Sequence, residues 1–188
     1  MIDQLLREWP PGFGGVERVA HELASVWGGV VYSLDVQRQS GNPNDPLLVS
    51  YPRRRLPSFV PFGRLHLPLP SCASLRLLLS PTPLHGHLPS PGVLFLLVLA
   101  RLIRPRRRIT AHWHCFLEPS RGFNGFLFAC YQWTALRLLS QFSAVVTTSP
   151  ILAKELERCC CSQCQVFELP CCLSSQQEQL CLALPVPQ

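Results

Sequence analysis

The sequence has no apolar run of the roughly 20 residues that a membrane-spanning helix requires. Its best candidate, 93–100, is far shorter and ends at Arg101. The first residues include Asp3, Arg7 and Glu8 and lack the basic and then apolar pattern of a secretory signal. We therefore expect a cytoplasmic protein. Its ten cysteines are then expected to be reduced thiols rather than a secreted disulfide framework.

Charged residues are also scarce, at 15% of the chain, whereas apolar residues make up 47%. This composition argues against general disorder. A chain of 188 residues is long enough for one domain, which would bury roughly 70% of its unfolded surface. The formal net charge of +6 comes mostly from arginine. It favours anionic partners, namely phosphates, an acidic membrane surface or nucleic acid.

A glycine-rich turn separates the first apolar run from the first segment with helical apolar spacing. Residues 10–15 read Pro-Pro-Gly-Phe-Gly-Gly, and the two prolines forbid a smooth continuation of a strand. Gly14 and Gly15 allow backbone angles and a close ligand approach that a Cβ would block. Free N–H groups at the start of the following helix suit a phosphate or another anion. On its own, such a glycine pair more often marks an ordinary turn.

Segments typical of strands and of helices alternate along nearly the whole chain. Short apolar runs predict strands over 2–6, 29–34, 47–51, 82–87, 108–113, 144–148 and 165–169. Apolar residues at helical spacing predict helices over 16–26, 72–79, 91–103, 123–142 and 150–157. We expect the aromatic segment 123–142 to be a core helix and Ser149 to be an N-cap. The alternation predicts an α/β fold, a Rossmann-like doubly wound parallel sheet covered on both sides.

Histidines stand at the ends of two predicted strands. The sequence His-Gly-His occupies 85–87, and His-Trp-His occupies 112–114. Ligands of doubly wound sheets bind at the carboxyl ends of the strands, so these histidines and the glycine turn are expected to line one crevice. Period-two alternation puts His112 and His114 on the same strand face. A structural or merely exposed role is the alternative for each of them.

The longer string Pro-Pro-x-x-Gly-Gly-Val-Glu-Arg, followed by an apolar helix, resembles the family 4 glycosyltransferases of the GT-B fold. His-Gly-His-Leu-Pro at 85–89, Thr-Ala-His-Trp-His at 110–114 and Val-Val-Thr-Thr-Ser-Pro at 145–150 are similar to later strand ends of that family. The resemblance covers 1–174 in patches, with 37–80 poorly matched. It implies the N-terminal, acceptor-side half of a GT-B fold over 1–174, followed by an unmatched tail or truncated linker over 175–188.

This resemblance also implies a reaction and a site. The reaction is retaining transfer of a sugar from a nucleotide-sugar to a glycan or lipid-linked acceptor in polysaccharide biosynthesis, with no cofactor and no metal. Gly14 and Gly15 would lie beside the donor diphosphate and the acceptor, and His114 would be the catalytic contact to the donor sugar. His112 is exchangeable with His114 in this interpretation, and His87 would line the acceptor side. Nothing after 170 resembles the family's nucleotide-sugar domain, so we expect a truncated chain, inactive alone, that needs a separate C-terminal half.

Three alternatives stay open from the sequence. A non-catalytic module could bind the inner face of an anionic membrane through the arginine runs at 53–55 and 101–108. The other interpretation of these runs is that they are solvated edges of the domain. Cys161, Cys164 and Cys171 could hold structural zinc, although ordinary thiols explain them better. Nucleic acid is not expected as a partner, because aromatic residues are not interleaved with the arginines.

Overall fold

The computed structural model of the chain describes residues 1–8, 14–34, 50–62, 65–118, 121–160 and 164–170. Its strands are β1 Asp3–Leu6, β2 Val31–Leu34, β3 Arg53–Leu56, β4 Ser58–Phe62, β5 Leu65–Pro68, β6 Leu84–Leu88, β7 Ile109–Trp113, β8 Ala144–Thr147 and β9 Val166–Glu168. Its helices are α1 Gly15–Trp27, α2 Cys72–Leu79, α3 Pro91–Ile103, α4 Phe123–Leu138 and α5 Pro150–Cys159. A 3-10 turn, Leu139–Gln141, continues α4.

Seven of the strands form one parallel sheet in the order β3-β2-β1-β6-β7-β8-β9. This arrangement confirms the predicted α/β, Rossmann-like fold. The chain runs outward from β1 through β2 to β3, then returns to place β6 on the other side of β1. The strand order therefore reverses between β1 and β6, and such a reversal opens a crevice at the carboxyl ends of the two strands.

The two faces of the sheet carry different apolar clusters, because consecutive strand residues point to opposite sides. Leu5 belongs to the larger cluster, to which α2, α3, α4 and α5 also contribute buried residues. Leu6 belongs to the smaller cluster, with Ala20 and Ala24 of α1. Helices therefore cover both faces, as a doubly wound sheet requires. Gly86 lies where α3 crosses β6, and a Cβ there would collide with Leu97.

Local capping explains several helix boundaries. The Ser71 hydroxyl accepts a hydrogen bond from the Ser74 N–H at the start of α2. Ser149 accepts one from the Leu152 N–H at the start of α5, which confirms the predicted cap. Pro91 opens α3 within the first turn, where a missing N–H costs nothing.

The third strand was expected over 47–51, but the structure places β3 at Arg53–Leu56. Residues 47–49 lie outside the described part of the chain. The arginine run at 53–55 was interpreted as a solvated edge or an anion-binding surface, and it forms most of β3, the edge strand, whose one partner among the described strands is β2. Charged side chains are common on edge strands because they oppose pairing with another chain. The β4–β5 hairpin that follows was not predicted, because its prolines hid the strand pattern.

The expectation of a core helix over 123–142 was wrong for most of its length. Phe123, Phe126 and Trp133 are 72%, 65% and 60% exposed. Gly125 and Ala135 of α4 are buried, as is Leu139 in the 3-10 turn, and Tyr131 packs against the larger apolar cluster. The composition of this segment is apolar all round, so its sequence does not distinguish a buried helix from one that packs along a single side. Among the described helices, none is both long enough and apolar enough to cross a bilayer.

Candidate functional site

Four histidines form one cluster that runs from His85, near the start of β6, to His114 at the carboxyl edge of the sheet, beside the point where strand order reverses. Parallel pairing sets His87 of β6 directly opposite His112 of β7. His85 and His87 share a face of β6, and His114 follows the end of β7. Ring centroids lie 5.3 Å apart for His87 and His114 and 4.1 Å apart for His112 and His114, with the rings of each pair nearly parallel. The structure therefore brings together the histidines of both sequence motifs.

A series of hydrogen bonds starts at Gln4 on β1 and ends at His114. Gln4 Oε1 lies 2.9 Å from His87 Nε2, and His87 Nδ1 lies 3.0 Å from His114 Nε2. An amide oxygen can only accept, so His87 carries its proton on Nε2 and offers a lone pair at Nδ1. His114 Nε2–H then donates to that lone pair. The remaining nitrogen of His114, Nδ1, is left as an acceptor.

A second set of contacts joins the other two rings. His85 Nδ1 lies 2.7 Å from Thr110 Oγ1, and His85 Nε2 lies 3.4 Å from His112 Nδ1. His112 Nε2 is buried and has no hydrogen-bond partner. Trp27, at the end of α1, meets His85 edge-on at a centroid distance of 5.2 Å. The α1 side of the sheet is therefore polar at its centre, with an aromatic side chain against it.

Burial keeps the imidazoles of this cluster uncharged at neutral pH. Desolvation lowers the pKa of His85 to about 3, with a smaller contribution from His112. It also lowers the pKa of His112 to about 4 and holds the pKa of His87 well below its usual value. The same cause brings the pKa of His114 to about 3. Neutral imidazoles act here as hydrogen-bond partners or metal ligands rather than as cations.

Exposure separates His114 from the other members. His87 is 2% exposed and His112 is fully buried, so neither ring presents an open surface. His114 is half-buried, and its backbone N–H donates to Leu88 O at 3.0 Å, which continues the β6–β7 pairing. Of the three histidines expected in the site, His114 is the one with accessible ring surface.

The glycine pair lies at the same edge of the sheet, after β1. Gly14 is the N-cap of α1 and Gly15 its first residue, and both are exposed. Neither has a positive φ, so backbone freedom is not what requires glycine here. Among the described residues, no atom lies within 4 Å of a Cβ placed on Gly15, so none of them fills the space in front of the helix. Residues 9–13 of the turn lie outside the described residues.

Glu17 stands over the start of α1. Its side chain is buried and lies where a Cβ on Gly14 would be. Desolvation raises the pKa of this carboxyl, and its hydrogen bond with its own backbone opposes that rise. A carboxylate in the first turn interacts favourably with the N–H groups of the helix. The N-terminus of α1 therefore already has an acidic neighbour within the chain.

Sequence reasoning missed two members of the cluster. Gln4 is fully buried in β1, whose sequence is Asp-Gln-Leu-Leu. Thr110 is two residues before His112 and therefore on the same face of β7. Gln4 could have been recognised from the sequence, because an amide in a buried strand needs a hydrogen-bond partner. The structure supplies that partner from β6, which lies beside β1.

Only part of the cysteine-rich segment is described. Cys160 Sγ lies 3.7 Å from Leu136 O, and Cys164 Sγ lies 3.7 Å from Leu139 O, at the end of α4. A hydrogen bond from Cys160 lowers the pKa of the Cys164 thiol, and burial acts the other way. Cys161 and Cys171, which the zinc alternative requires, lie outside the described residues.

A doubly wound parallel sheet with polar side chains at its carboxyl edge, beside the reversal of strand order, defines a Rossmann-like ligand-binding domain. The chain belongs to Glycosyltransferase Family 4, whose model matches residues 13–173. The matched range includes the glycine pair and all four clustered histidines. Family membership gives the chain a glycosyltransferase-like function. No curated protein matches the chain.

Proposed function

We propose that this chain is the acceptor-side domain of a glycosyltransferase that transfers a sugar, with retention, from a nucleotide-sugar to a glycan or lipid-linked acceptor. The observation that carries the proposal is His114. It is a neutral, half-buried imidazole at the carboxyl edge, and its Nε2 is engaged with His87. Its Nδ1 can therefore accept a hydrogen bond from a sugar hydroxyl. The reaction would serve polysaccharide synthesis at the cytoplasmic side of the cell.

The other residues of the proposed site have supporting roles. His87 and Gln4 fix the tautomer of His114, because the Gln4 carbonyl accepts the only ring proton of His87. His112 stacks on His114 and holds its ring plane. The open space in front of Gly15 leaves room for a diphosphate or an acceptor oxygen to approach the backbone. The nucleotide itself would be held by a separate C-terminal half, and the chain alone would not turn over.

The test measures nucleotide release from a panel of UDP- and GDP-sugars by the chain joined to a Family 4 nucleotide-sugar domain. We expect His114→Ala to lower the rate about 100-fold, in the range of one lost catalytic hydrogen-bonding group. Gly15→Ala should lower it about tenfold without loss of stability, because no atom of the described residues lies within 4 Å of the added methyl group. The chain alone should release no nucleotide above background.

His21→Ala is the matched control, since His21 lies in α1 and contacts Tyr51 rather than the cluster. Its rate should equal that of the unmodified chain. Equal turnover by His114→Ala and His21→Ala would remove His114 from the site. Absence of release from every nucleotide-sugar would overturn the proposed reaction.

A second candidate function is peripheral binding to an anionic membrane surface, and one cavity favours it. This cavity, of about 450 Å³, lies at the amino edge of the sheet, opposite the histidines. Its lining residues are Pro81, Arg104, Pro105, Arg106 and Arg107. Leu102 beside it is 70% exposed, so apolar and basic side chains occur together as in interfacial helices.

Co-sedimentation with liposomes of phosphatidylglycerol and phosphatidylcholine tests this second function. Replacing both Arg104 and Arg106 by Ala should weaken binding roughly 30-fold, at about 1 kcal/mol for each arginine near the surface. Arg158→Ala, an exposed change on α5, is the control and should weaken it far less. Equal binding to neutral and anionic vesicles would contradict the proposal.

A further inference from the structure

We propose that His85, His87 and His112 form a binding site for a divalent transition-metal ion of the zinc class, next to the proposed sugar contact His114. One nitrogen from each of these rings lies within 4.8 Å of the others. All three side chains are buried. The resemblance to glycosyltransferases led us to expect no metal in this region, so the site is an addition to that function.

The spacing of one nitrogen pair matches that of two ligands on a tetrahedral ion. Zinc binds imidazole nitrogen at about 2.0–2.1 Å, so two ligands of a tetrahedral site lie about 3.3 Å apart. His85 Nε2 and His112 Nδ1 are separated by 3.4 Å. An ion between them would replace the single proton that the two nitrogens can share. His112 Nε2 has no hydrogen-bond partner, so no oxygen fixes the orientation of this ring.

The surroundings of the rings resemble the outer shell of a metal site. Thr110 Oγ1 faces His85 Nδ1, and Gln4 Oε1 faces His87 Nε2. Protons on these outer nitrogens leave two lone pairs, one on His85 Nε2, which faces His112 Nδ1, and one on His87 Nδ1, which faces His114 Nε2. Histidine ligands of metals commonly donate their second N–H to such oxygens, which orients the ring.

The chemistry of the donors selects the kind of ion. Three imidazoles with no carboxylate among them suit zinc, cobalt, nickel or copper and do not suit magnesium or calcium. His114 is half-buried and lies beside the three rings. An ion on His87 Nδ1 would also displace the hydrogen bond from His114, so the metal and that hydrogen bond exclude each other.

The experiment is titration of the full 188-residue chain with Co²⁺ and Zn²⁺ after its thiols are blocked with N-ethylmaleimide. Blocking is needed because the chain has ten cysteines. We expect one ion per chain, the visible absorption of tetrahedral Co²⁺, and a rise in Tm of about 5–10 °C at a metal concentration 100 times Kd. No uptake by the folded, blocked chain would overturn the site.

Variants assign the ligands. His85→Gln and His112→Gln should weaken Co²⁺ binding by at least about 100-fold, and Thr110→Val by about 10–100-fold. His21→Gln, in α1, should bind as the unmodified chain does. Equal affinity in all four variants would overturn the assignment.

X-ray absorption at the zinc edge of the blocked, unmodified chain covers the case in which the histidine variants do not fold. Imidazole scattering from at least three rings supports the site. Scattering without imidazole, or with sulfur, would overturn it. Because neither readout uses sugar transfer, failure of this site leaves the proposed glycosyltransferase function untouched, and the reverse also holds.

Discussion

Lowering the pH from 7 to 5 is expected to unfold the chain. The folded state holds its clustered imidazoles neutral, with the pKa of His85 and His114 at about 3 and that of His112 at about 4. An unfolded histidine has a pKa of about 6.5, so between these values the unfolded state binds more protons. Stability is therefore complete above pH 6.5 and is lost as pH falls toward the folded pKa values.

The expected size of this effect is large. Each buried imidazole loses about 1.4 kcal/mol per pH unit below 6.5, or about 2 kcal/mol by pH 5. His85, His112 and His114 together then lose about 6 kcal/mol, which is comparable with the whole stability of a typical domain, about 5–15 kcal/mol. The raised pKa of Glu17 changes stability with pH in the opposite direction, but Glu17 is a single group.

Urea unfolding at pH 7, 6 and 5, with a chelator present, measures this dependence. His85→Gln should reduce the slope of stability against pH by close to one proton, whatever it does to stability at pH 7. His21→Gln should leave the slope much less affected, because His21 lies outside the cluster. A midpoint that does not move between pH 7 and pH 5 would show that the imidazoles are not held neutral by burial.

Replacing Arg107 by Met is expected to lower the free energy of unfolding by about 3–5 kcal/mol, the usual result of breaking a buried ion pair. Its guanidinium is buried, and Nη2 lies 3.6 Å from Asp3 Oδ2. Nε donates to Thr82 O at 2.7 Å and Nη1 donates to Leu77 O at 2.6 Å. One side chain thus joins β1, the end of α2 and the segment before β6. Burial lowers the pKa of Arg107, and Asp3 opposes that change.

Arg106→Met is the matched control, because Arg106 is exposed beside it, and it should change stability by less than about 0.5 kcal/mol. Urea midpoints give both values. A double-mutant cycle with Asp3→Asn should show coupling, since Asp3 also accepts hydrogen bonds from Val30 N–H and the Ser80 hydroxyl. Similar midpoints for Arg106→Met and Arg107→Met would contradict the structural role of this ion pair.

Arg107 also shows what the sequence could not reveal. It stands in a run of arginines over 101–108, and the run was interpreted as solvated or as facing an anionic surface. That interpretation is wrong for Arg107, because a buried acid on β1 reaches it across more than 100 positions of sequence. Neighbours in the run, such as Arg104 and Arg106, are exposed as expected. Local composition identifies the charge, whereas only the packing identifies its partner.

The alternation of strands and helices was predictable, because it depends on local apolar spacing. The bounds of α3 were predicted at Pro91–Ile103, as the structure has them. Strand order depends on contacts between distant segments. The meeting of the two histidine motifs was suggested only by the general rule that ligands of doubly wound sheets bind at the carboxyl ends of the strands. That expectation is confirmed for the four imidazoles. The roles proposed for His87, His112, His114 and the glycine pair stay predictions.

The position of β1 has a consequence for synthesis of the protein. This strand is synthesised before the other described strands of the sheet, yet one of its two partners is β6, where Asp3 pairs with Leu84. The central pairing of the sheet must therefore wait until more than 80 further residues have been made. Non-local parallel pairing of this kind is slow, and the nascent strand meanwhile exposes unpaired edges. Nascent chains that end before β6 are therefore expected to depend on chaperones more than chains that include β6.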